Sequence, residues 1–234
     1  WFSTLDLARA ELKYEDLKNG SPYPANSFTS SYLNGQQNAI RWGNVYELSK
    51  THKASFGVDV LKDDYDTSGN NGYIINRSTK GYYGGLTSVF DDLTLQANVR
   101  RDQIDIDYTA YGALSNAKIG ATSTLLGAGY QLNSAWKLTG TTSTGFRAPT
   151  AYDISTNALV KQEEFKSEEA GVVYSDANTY ARLVYFKTTT QSAIGYDSND
   201  AAVNIGETRV DGLEANLRTN WRGHSIKLSL VQQN

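Results

Sequence analysis

The stretch WKLTGTTSTGFRAPTAYDISTNALVKQEEFKSEEAG, residues 136–171, decides the fold. Its first part alternates between two sides of the backbone, and one side carries Trp136, Leu138, Gly140, Thr142, Thr144 and Phe146. Successive side chains of a strand point to opposite faces, so this period of two predicts a β-strand. Pro149 should end the strand because proline has no donor for a ladder hydrogen bond. A polar connection follows, and the alternation resumes near Glu168.

The same alternation recurs along the chain and predicts about eleven strands in one domain, because no helical period and no Gly/Ser linker interrupts it. Eight apolar residues should point to one common face: Ile40, Trp42, Phe56, Val58, Leu93, Leu95, Leu213 and Leu217. One run is irregular. In RRDQIDIDY, residues 100–108, the apolar phase slips by one, which predicts a bulge or the point where the strand leaves a membrane.

The connections between these strands alternate in length. Short turns are predicted at 90–92, 133–135, 175–178 and 222–224. Long polar loops are predicted at 16–36, 62–78, 101–116, 148–166 and 189–207. Short turns at one end and long loops at the other are typical of an outer-membrane barrel, whereas a soluble sandwich has no reason to keep that order. We therefore predict an all-β fold, an antiparallel transmembrane β-barrel.

Composition is compatible with this interpretation. The net charge of -3 argues against a nucleic-acid binder, and the absence of cysteine excludes disulfides and thiolate metal sites. The mean hydropathy of -0.49 does not exclude a membrane barrel, since only every second residue of a barrel strand faces lipid. Sixteen tyrosines and four tryptophans predict aromatic girdles at the bilayer interfaces, and ordinary aromatic packing in a soluble β-protein is the alternative.

Catalytic and metal-binding patterns are sparse. His52 and His224 are too few and too far apart for a histidine metal site. The sequence also has no local serine–histidine signature of the kind that a barrel hydrolase would need. The segment Asp63-Asp64-Tyr65-Asp66-Thr67-Ser68-Gly69 resembles the start of a calcium loop. Ile75 stands where an EF-hand needs a bidentate glutamate, so an EF-hand is excluded. A looser calcium site built from several loops and a solvated acidic loop both stay open.

A family resemblance rests on an ordered series of short motifs. Gly145-Phe146-Arg147-Ala148-Pro149-Thr150 resembles the "GFRAP" segment of TonB-dependent outer-membrane receptors. The family's Asn-Pro-x-Leu-Lys-Pro-Glu and Glu-x-Gly elements are matched in spacing by Asn157, Val160, Lys161, Glu163, Glu169 and Gly171, with Ala158 and Gln162 in place of the prolines. Asn204-Ile205-Gly206 and residues 210–214 resemble later family motifs, and residues 90–97 resemble a turn and strand of the cobalamin transporters. The likeness covers residues 80–234 well and 1–79 weakly.

This resemblance implies a barrel of 22 strands in a bacterial outer membrane, of which residues 1–234 would be an interior segment. The plug domain and the terminal strands are expected outside this chain. The implied function is TonB-energised uptake of a scarce metal chelate, cobalamin first and an iron–siderophore second. The implied partners are that ligand, outer-membrane lipid and lipopolysaccharide, and TonB through a plug. Calcium bound in extracellular loops is implied by the cobalamin receptors, with Asp63, Asp64 and Asp66 as candidates.

Loop tyrosines are the candidate ligand contacts, because their rings could stack on a corrin ring or a catecholate. The candidates are Tyr65, Tyr73, Tyr108, Tyr111 and Tyr152. Anchoring at the membrane interface is the alternative role for these residues. Two other functional classes also remain: a passive porin-like pore, and a soluble all-β carbohydrate-binding module with a closed two-sheet core.

Overall fold

Eleven long strands pair in chain order into a single antiparallel sheet, which confirms the predicted strand number and direction. The computed structural model describes residues 1–15, 17–18, 21–22, 32–68, 72–110 and 113–234. The strands of the sheet are β1 (Phe2–Glu15), β4 (Tyr32–Glu47), β5 (His52–Ser68), β6 (Tyr73–Phe90), β7 (Leu93–Ala110), β8 (Ala113–Gln131), β9 (Trp136–Arg147), β10 (Glu163–Ser175), β11 (Thr179–Gln191), β14 (Thr208–Trp221) and β15 (His224–Gln233).

Two pairs of short strands and one short helix lie between the long strands. The pair β2 (Leu17–Lys18) and β3 (Ser21–Pro22) follows β1, and the pair β12 (Ile194–Tyr196) and β13 (Ala202–Asn204) follows β11. The helix α1 (Ala151–Thr156) lies between β9 and β10. No helix in the described part of the chain is long and apolar enough to cross a bilayer.

Tight turns join the strands at one end of the sheet, as the sequence predicts. The two residues between β14 and β15, Arg222 and Gly223, have φ of 48° and 82°, the left-handed conformation that a two-residue type I′ hairpin loop requires. Asp176 shapes the turn between β10 and β11, since its Oδ1 accepts the N–H groups of Asn178 and Thr179 at 2.8 and 2.7 Å. A further turn at residues 48–51, which the alternation pattern does not predict, joins β4 and β5.

At the other end, the predicted loops at 62–78 and 101–116 are wrong, because both stretches are mostly strand. β5 continues to Ser68 and β6 begins at Tyr73, while β7 continues to Ala110 and β8 begins at Ala113. β4 likewise begins inside the predicted loop 16–36, the rest of which lies largely outside the described residues. The backbone ladder does not need lipid, so pairing continues beyond the point where apolar alternation ends. The long connections at 148–162 and 192–207 are present, as predicted.

The sheet has two chemically different faces. One face carries the eight predicted apolar residues, none of which is buried, and Ile40, Trp42, Phe56, Leu95 and Leu213 are each at least 40% exposed. We call this the outer face. The opposite face is covered in part by α1, and we call it the inner face. Because the long strands form one sheet and these side chains lie outside any core, the two-sheet soluble module is excluded for the described residues.

The apolar slip in β7 is not a bulge. β7 pairs without interruption with β6 and with β8 through Val99 to Ile106. Ile104 and Ile106 lie on the inner face and are 3% and 2% exposed, whereas Asp105 lies exposed on the outer face. The apolar side chains change face because α1 covers the inner face there. The predicted bulge is therefore wrong, and the slip marks the level at which the outer face becomes polar.

A small hydrophobic core forms at this level. It consists of Ile104 and Ile106 from β7 with Ala151 and Ile154 from α1. Partly buried apolar side chains surround it: Ile75, Tyr108, Ala117, Ile119, Phe146 and Ala148. This core attaches the connection after β9 to the inner face.

Candidate ligand-binding site on the inner face

The helix α1 begins at a capping box. Thr150 Oγ1 accepts the N–H of Asp153 at 3.1 Å, and Asp153 Oδ2 accepts the N–H of Thr150 at 2.7 Å. These two bonds satisfy donors that a helix N-terminus would otherwise leave free. The pattern Thr-x-x-Asp directly after Pro149 is the signal that could have predicted the helix inside the loop at 148–166.

Asp153 also joins the helix to the hairpin β12–β13. Its carboxylate is 1% exposed, and Oδ1 accepts the hydroxyl of Tyr196 at 2.5 Å. Burial alone would raise the pKa of Asp153. The hydrogen bonds from Tyr196 and Thr150 and the positive charge of Arg147 outweigh burial, so the pKa lies below its ordinary value. Asp153 is therefore a charged acceptor at neutral pH.

Further hydrogen bonds connect the two long loops, although the paired residues are 43 to 46 positions apart. Asn157 Nδ2 donates to the carbonyl of Ala202 at 2.8 Å, and Thr156 Oγ1 accepts the N–H of Ala202 at 3.1 Å. Asn204 accepts the N–H of Lys161 at 2.9 Å and donates to its carbonyl at 3.0 Å. The motif residues Asn157, Lys161 and Asn204 thus build one assembly, which we call the loop clasp: residues 148–163 and 192–206.

An ion pair fixes the base of the loop clasp. The guanidinium of Arg147, at the end of β9, donates to both oxygens of Glu163 at 2.7 and 2.8 Å. Glu163 Oε1 also accepts the N–H of Ile194, in β12, at 2.8 Å. Bidentate arginine–carboxylate pairs restrict geometry as well as adding energy, so this contact holds the starts of both loops together.

Two pairs of tyrosine rings lie on or beside the inner face. Tyr152 on α1 and Tyr196 on β12 have ring centroids 5.9 Å apart and are 50% and 51% exposed. Tyr73 and Tyr108, on β6 and β7, are also 5.9 Å apart. Sequence reasoning missed Tyr196, because only the folded hairpin brings it to the helix.

The predicted tyrosines are therefore partly brought together. Tyr65 lies on the inner face over Gly35, where a Cβ would stand 2.8 Å from its ring. Tyr65, Tyr73 and Tyr108 all project from the face opposite to the apolar outer face, and this placement disfavours anchoring at a lipid interface for them. Tyr111 lies outside the described residues.

Toward the turn end, the inner face carries an ion cluster. Arg100 Nη1 contacts Asp59 Oδ2 on β5, and Arg100 Nε donates to both oxygens of Asp102 at 3.0 Å. Gly81 on β6 makes this arrangement possible, since a Cβ there would stand 2.0 Å from Arg100 Nη2. The glycine lets the guanidinium lie close against the sheet, so the inner face carries charged side chains at this level.

The three predicted calcium ligands do not converge. Asp63 faces inward and accepts a bond from Gln37 Nε2 at 2.7 Å, whereas Asp64 and Asp66 project from the outer face of the same strand. Their expected loop is strand β5, so alternate side chains diverge. Among the residues that the structure describes, no group of three or more acidic or histidine side chains is arranged to hold a metal ion. Calcium binding by several loops stays a prediction.

Residues 1–232 match the family model described as TonB dependent receptor-like, beta-barrel. The vitamin B12 transporter BtuB of Photobacterium profundum is 22% identical over 214 residues, which are 85% of this chain and 33% of that protein. The apoprotein form of the FrpB iron transporter from Neisseria meningitidis (F5-1 variant) has a TM-score of 0.77 at 16% identity, covering 99% of this chain and 41% of that one. The copper transporter OprC has a TM-score of 0.75 at 14% identity, covering 99% and 42%. The chain thus spans a third to two fifths of these relatives.

Proposed function

Because the chain belongs to the TonB-dependent receptor β-barrel family, whose members are outer-membrane receptors and transporters, we propose that the whole protein imports a metal chelate. We propose cobalamin as the ligand, since a relative 22% identical over 214 residues is a vitamin B12 transporter. An iron–siderophore is the second candidate, because a solved barrel with the same fold is an iron transporter. The likeness to the solved barrels supports the fold and does not choose between ligands.

The observation that carries the proposal is the pair of half-exposed tyrosine rings on the loop clasp. Tyr152 and Tyr196 are held by a capped helix and a hydrogen-bonded hairpin, so little ordering is needed when a ligand binds. Aromatic rings offer a large flat apolar surface, which suits the planar corrin of cobalamin. The clasp rests on the inner face, where a substrate that enters a barrel would pass.

Binding measurements with the variant Tyr152→Ala test this site. Tyr152 is the cleaner position, because Tyr196 also holds Asp153. We expect cobalamin to bind the purified protein in detergent and the variant to bind about tenfold more weakly, the loss of one stacked ring. Tyr130→Ala, which removes an exposed ring from the outer face, is the matched control and should bind like wild type. Equal binding by all three proteins, or binding of a ferric siderophore alone, would refute cobalamin at this site.

Energised uptake separates a receptor from a passive pore. We propose that TonB reaches the barrel through a plug domain, so high-affinity uptake should fall to background in cells that lack the energising complex. Uptake that persists unchanged in those cells would favour the pore.

We also propose that the protein performs no bond chemistry, as expected for a family of transporters and receptors. The two histidines support this view. His52 begins β5 beside the ring of Phe90, with centroids 5.4 Å apart, and His224 begins β15. Both lie next to tight turns, at the end of the sheet opposite to the loop clasp.

A further inference from the structure

The sheet splits between β8 and β9 at its loop end. These two strands pair only over residues 125–131 of β8 and 137–143 of β9. Nearer the loops, β9 continues against β10 alone and β8 continues against β7 alone. β8 therefore has a neighbouring strand on only one side along residues 113–123, which we call the open stretch.

Two threonines mark the point where the strands separate. The N–H of Thr124 on β8 donates to Thr144 Oγ1 on β9 at 2.9 Å, and the two hydroxyl oxygens are 3.1 Å apart. Beyond them lies a cleft of about 430 Å³, whose lining includes Ala121 and Thr122 on β8 and Phe146 on β9. There is thus free space beside β8 where the open stretch begins.

The backbone groups on this side of β8 lack partners among the described residues. Thr124 directs its N–H toward β9, and a strand directs the backbone groups of every second residue to the same side. The N–H and C=O groups on the open side therefore belong to Asn116, Lys118, Gly120 and Thr122. In the part of the chain that the structure describes, β7 pairs with the other side of β8 and no loop bonds to these four residues.

The open stretch stands beyond the apolar part of the outer face. It pairs with residues 100–110 of β7, where every outer side chain is polar, for example Arg101 and Asp105. The long loops of outer-membrane barrels lie on the extracellular side, so this stretch faces the external medium. At about 3.3 Å per residue it offers about 35 Å of strand.

The usual protection of an exposed edge is weak here. Native proteins protect edge strands with charged residues, proline, bulges or a covering element. The open stretch, ALSNAKIGATS, has one lysine and no proline, and its pairing with β7 has no bulge. The helix α1 packs on its inner face through Ala117 and Ile119 and does not pair with its edge. Such an edge is a template for pairing with another strand.

A second copy in the same membrane does not fit this edge. Barrel strands tilt by about 35–45° from the membrane normal. Two copies related by an axis along that normal would therefore cross their open stretches at about 70–90°, whereas adjacent strands of a sheet differ by only about 20–25°. A partner from the external medium is free of this restriction on orientation.

We propose that the open stretch binds an extended peptide segment of a soluble partner in the external medium as an added strand. The inference rests on the outer-membrane placement and is independent of the imported ligand. In strand addition, main-chain hydrogen bonds supply affinity and alternate side chains supply specificity. An extended peptide has donors and acceptors at the spacing that the open side of β8 presents.

The side chains of the open stretch indicate the chemistry of this peptide. On the inner face, β8 presents the small or apolar residues Ala117, Ile119 and Ala121. On the outer face, Lys118 is exposed and stands opposite Asp105 in register, without an ion pair within the described chain. The peptide should therefore alternate apolar and polar residues, with a carboxylate beside Lys118.

Binding of a synthetic peptide to the whole protein in nanodiscs tests the proposal. The probe has about eight residues, in which valine and threonine alternate and one threonine is replaced by glutamate. We expect saturable binding, measured by fluorescence anisotropy, below about 1 mM peptide. N-methylation of the valines removes the donors on one side of the peptide, and N-methylation of the threonines removes those on the other. One pattern should weaken binding at least about tenfold and the other should have little effect, because only one side pairs with β8. No binding of the probe, or equal effects of the two patterns, would overturn the proposal.

Two substitutions at one position separate backbone from side chain. Asn116→Pro removes a donor on the open side and should weaken binding at least about tenfold, while the ladder with β7 keeps its bonds. Asn116→Ala keeps the N–H and is the matched control, which should bind like wild type. Equal losses in both variants, or no loss in either, would overturn strand addition. Lys118→Gln should weaken binding of the glutamate peptide about threefold and leave a glutamine peptide unchanged, and equal behaviour of the two peptides would refute the carboxylate.

Hydrogen exchange of single amides needs no substitution and decides the matter if Asn116→Pro fails to fold. Without peptide, the even-numbered amides of residues 116–122 should exchange rapidly and the odd-numbered ones slowly. The peptide should slow exchange of the even-numbered amides at least about tenfold. Slow exchange of these amides without peptide would show that another part of the whole protein or a second copy already covers this side, and would overturn the proposal.

Discussion

At the scale of single residues, Asp153 connects separate parts of the loop clasp. It caps its own helix, accepts the Tyr196 hydroxyl and lies almost fully buried. A buried carboxylate is stable only when hydrogen bonds and nearby positive charge replace the lost water, and here Thr150, Tyr196 and Arg147 do so. One side chain thus connects helix, hairpin and strand end.

Replacing Asp153 with asparagine should loosen the loop clasp. The amide keeps the shape and loses the charge that strengthens both hydrogen bonds, which costs about 1–2 kcal/mol of local stability. Hydrogen exchange of the amides in α1 and β12 should accelerate correspondingly. Asp200→Asn, an exposed turn residue with φ of 58° that asparagine tolerates, serves as the control and should leave these rates unchanged. Equal protection in Asp153→Asn and wild type would contradict the role given to the charge.

The loop clasp should also respond to acid. The folded pKa of Asp153 is below its ordinary value of about 3.9, so its contribution is complete above that value and is lost as the pH falls through the lower folded pKa. A fluorine NMR signal from fluorotyrosine at position 196 should stay constant from neutral pH to about pH 5 and shift below about pH 4. Asp153→Asn should remove this transition. A transition that survives in the variant would assign it to another group.

At the scale of elements, glycines set how close side chains lie to the sheet. Gly81 accommodates Arg100, and Asp102, one of the two carboxylates that bind Arg100, is 6% exposed. Gly84 on the same strand faces outward, and a Cβ there would have Ser55 O, 3.9 Å away, as its nearest atom. The two glycines therefore differ in what a methyl group would displace.

Gly81→Ala should displace Arg100 and disturb its bonds to Asp59 and Asp102. Because Asp102 would lose its partner while buried, we expect a loss of about 1–3 kcal/mol in the free energy of unfolding. Urea titration of the protein folded into lipid vesicles measures this loss. Gly84→Ala should change the same quantity by less than about 0.5 kcal/mol. Similar values for the two variants would show that the ion cluster does not depend on Gly81.

The elements also show what the sequence could predict. The alternation of apolar and polar residues identified the strands and the outward direction of Trp42, Leu95 and Leu213. It could do so because every second residue of a barrel strand faces lipid and is therefore apolar. It failed on β5 and β7 beyond the apolar part of the outer face, where the outer side chains become polar while backbone pairing continues. The hydrogen bonds between Asn204 and Lys161 could not be predicted either. The family resemblance identified the two motifs that contain these residues, but it did not indicate that the motifs contact each other.

At the scale of the whole molecule, the sheet has two open edges as well as two faces. β1 and β15 are its edges and run the same way, since eleven strands alternate in direction. An all-antiparallel ring needs an even number of strands, and a bilayer does not tolerate open edges. The 22-strand barrel implied by the family resemblance stays a prediction, and its even number of strands satisfies this requirement.

The two faces should differ sharply in their tolerance of charge. Leu95→Arg places a cation on the apolar outer face and should cost about 2–4 kcal/mol in folding from urea into vesicles. Gln96→Arg, one residue along on the inner face, should cost less than about 1 kcal/mol, because a wet lumen accepts charge. Comparable costs at both positions would mean that the two faces are exposed to the same environment.

The most direct test of the membrane assignment is a spin-label scan of β7. This chain has no cysteine, so single cysteines can be introduced and labelled at each position from Leu93 to Val99 in the bilayer-embedded protein. We predict that labels at odd positions collide with dissolved oxygen, which concentrates in lipid, and that labels at even positions collide with a water-soluble nickel complex. Equal accessibility along the strand, or the opposite phase, would contradict a lipid-facing outer surface around a wet interior.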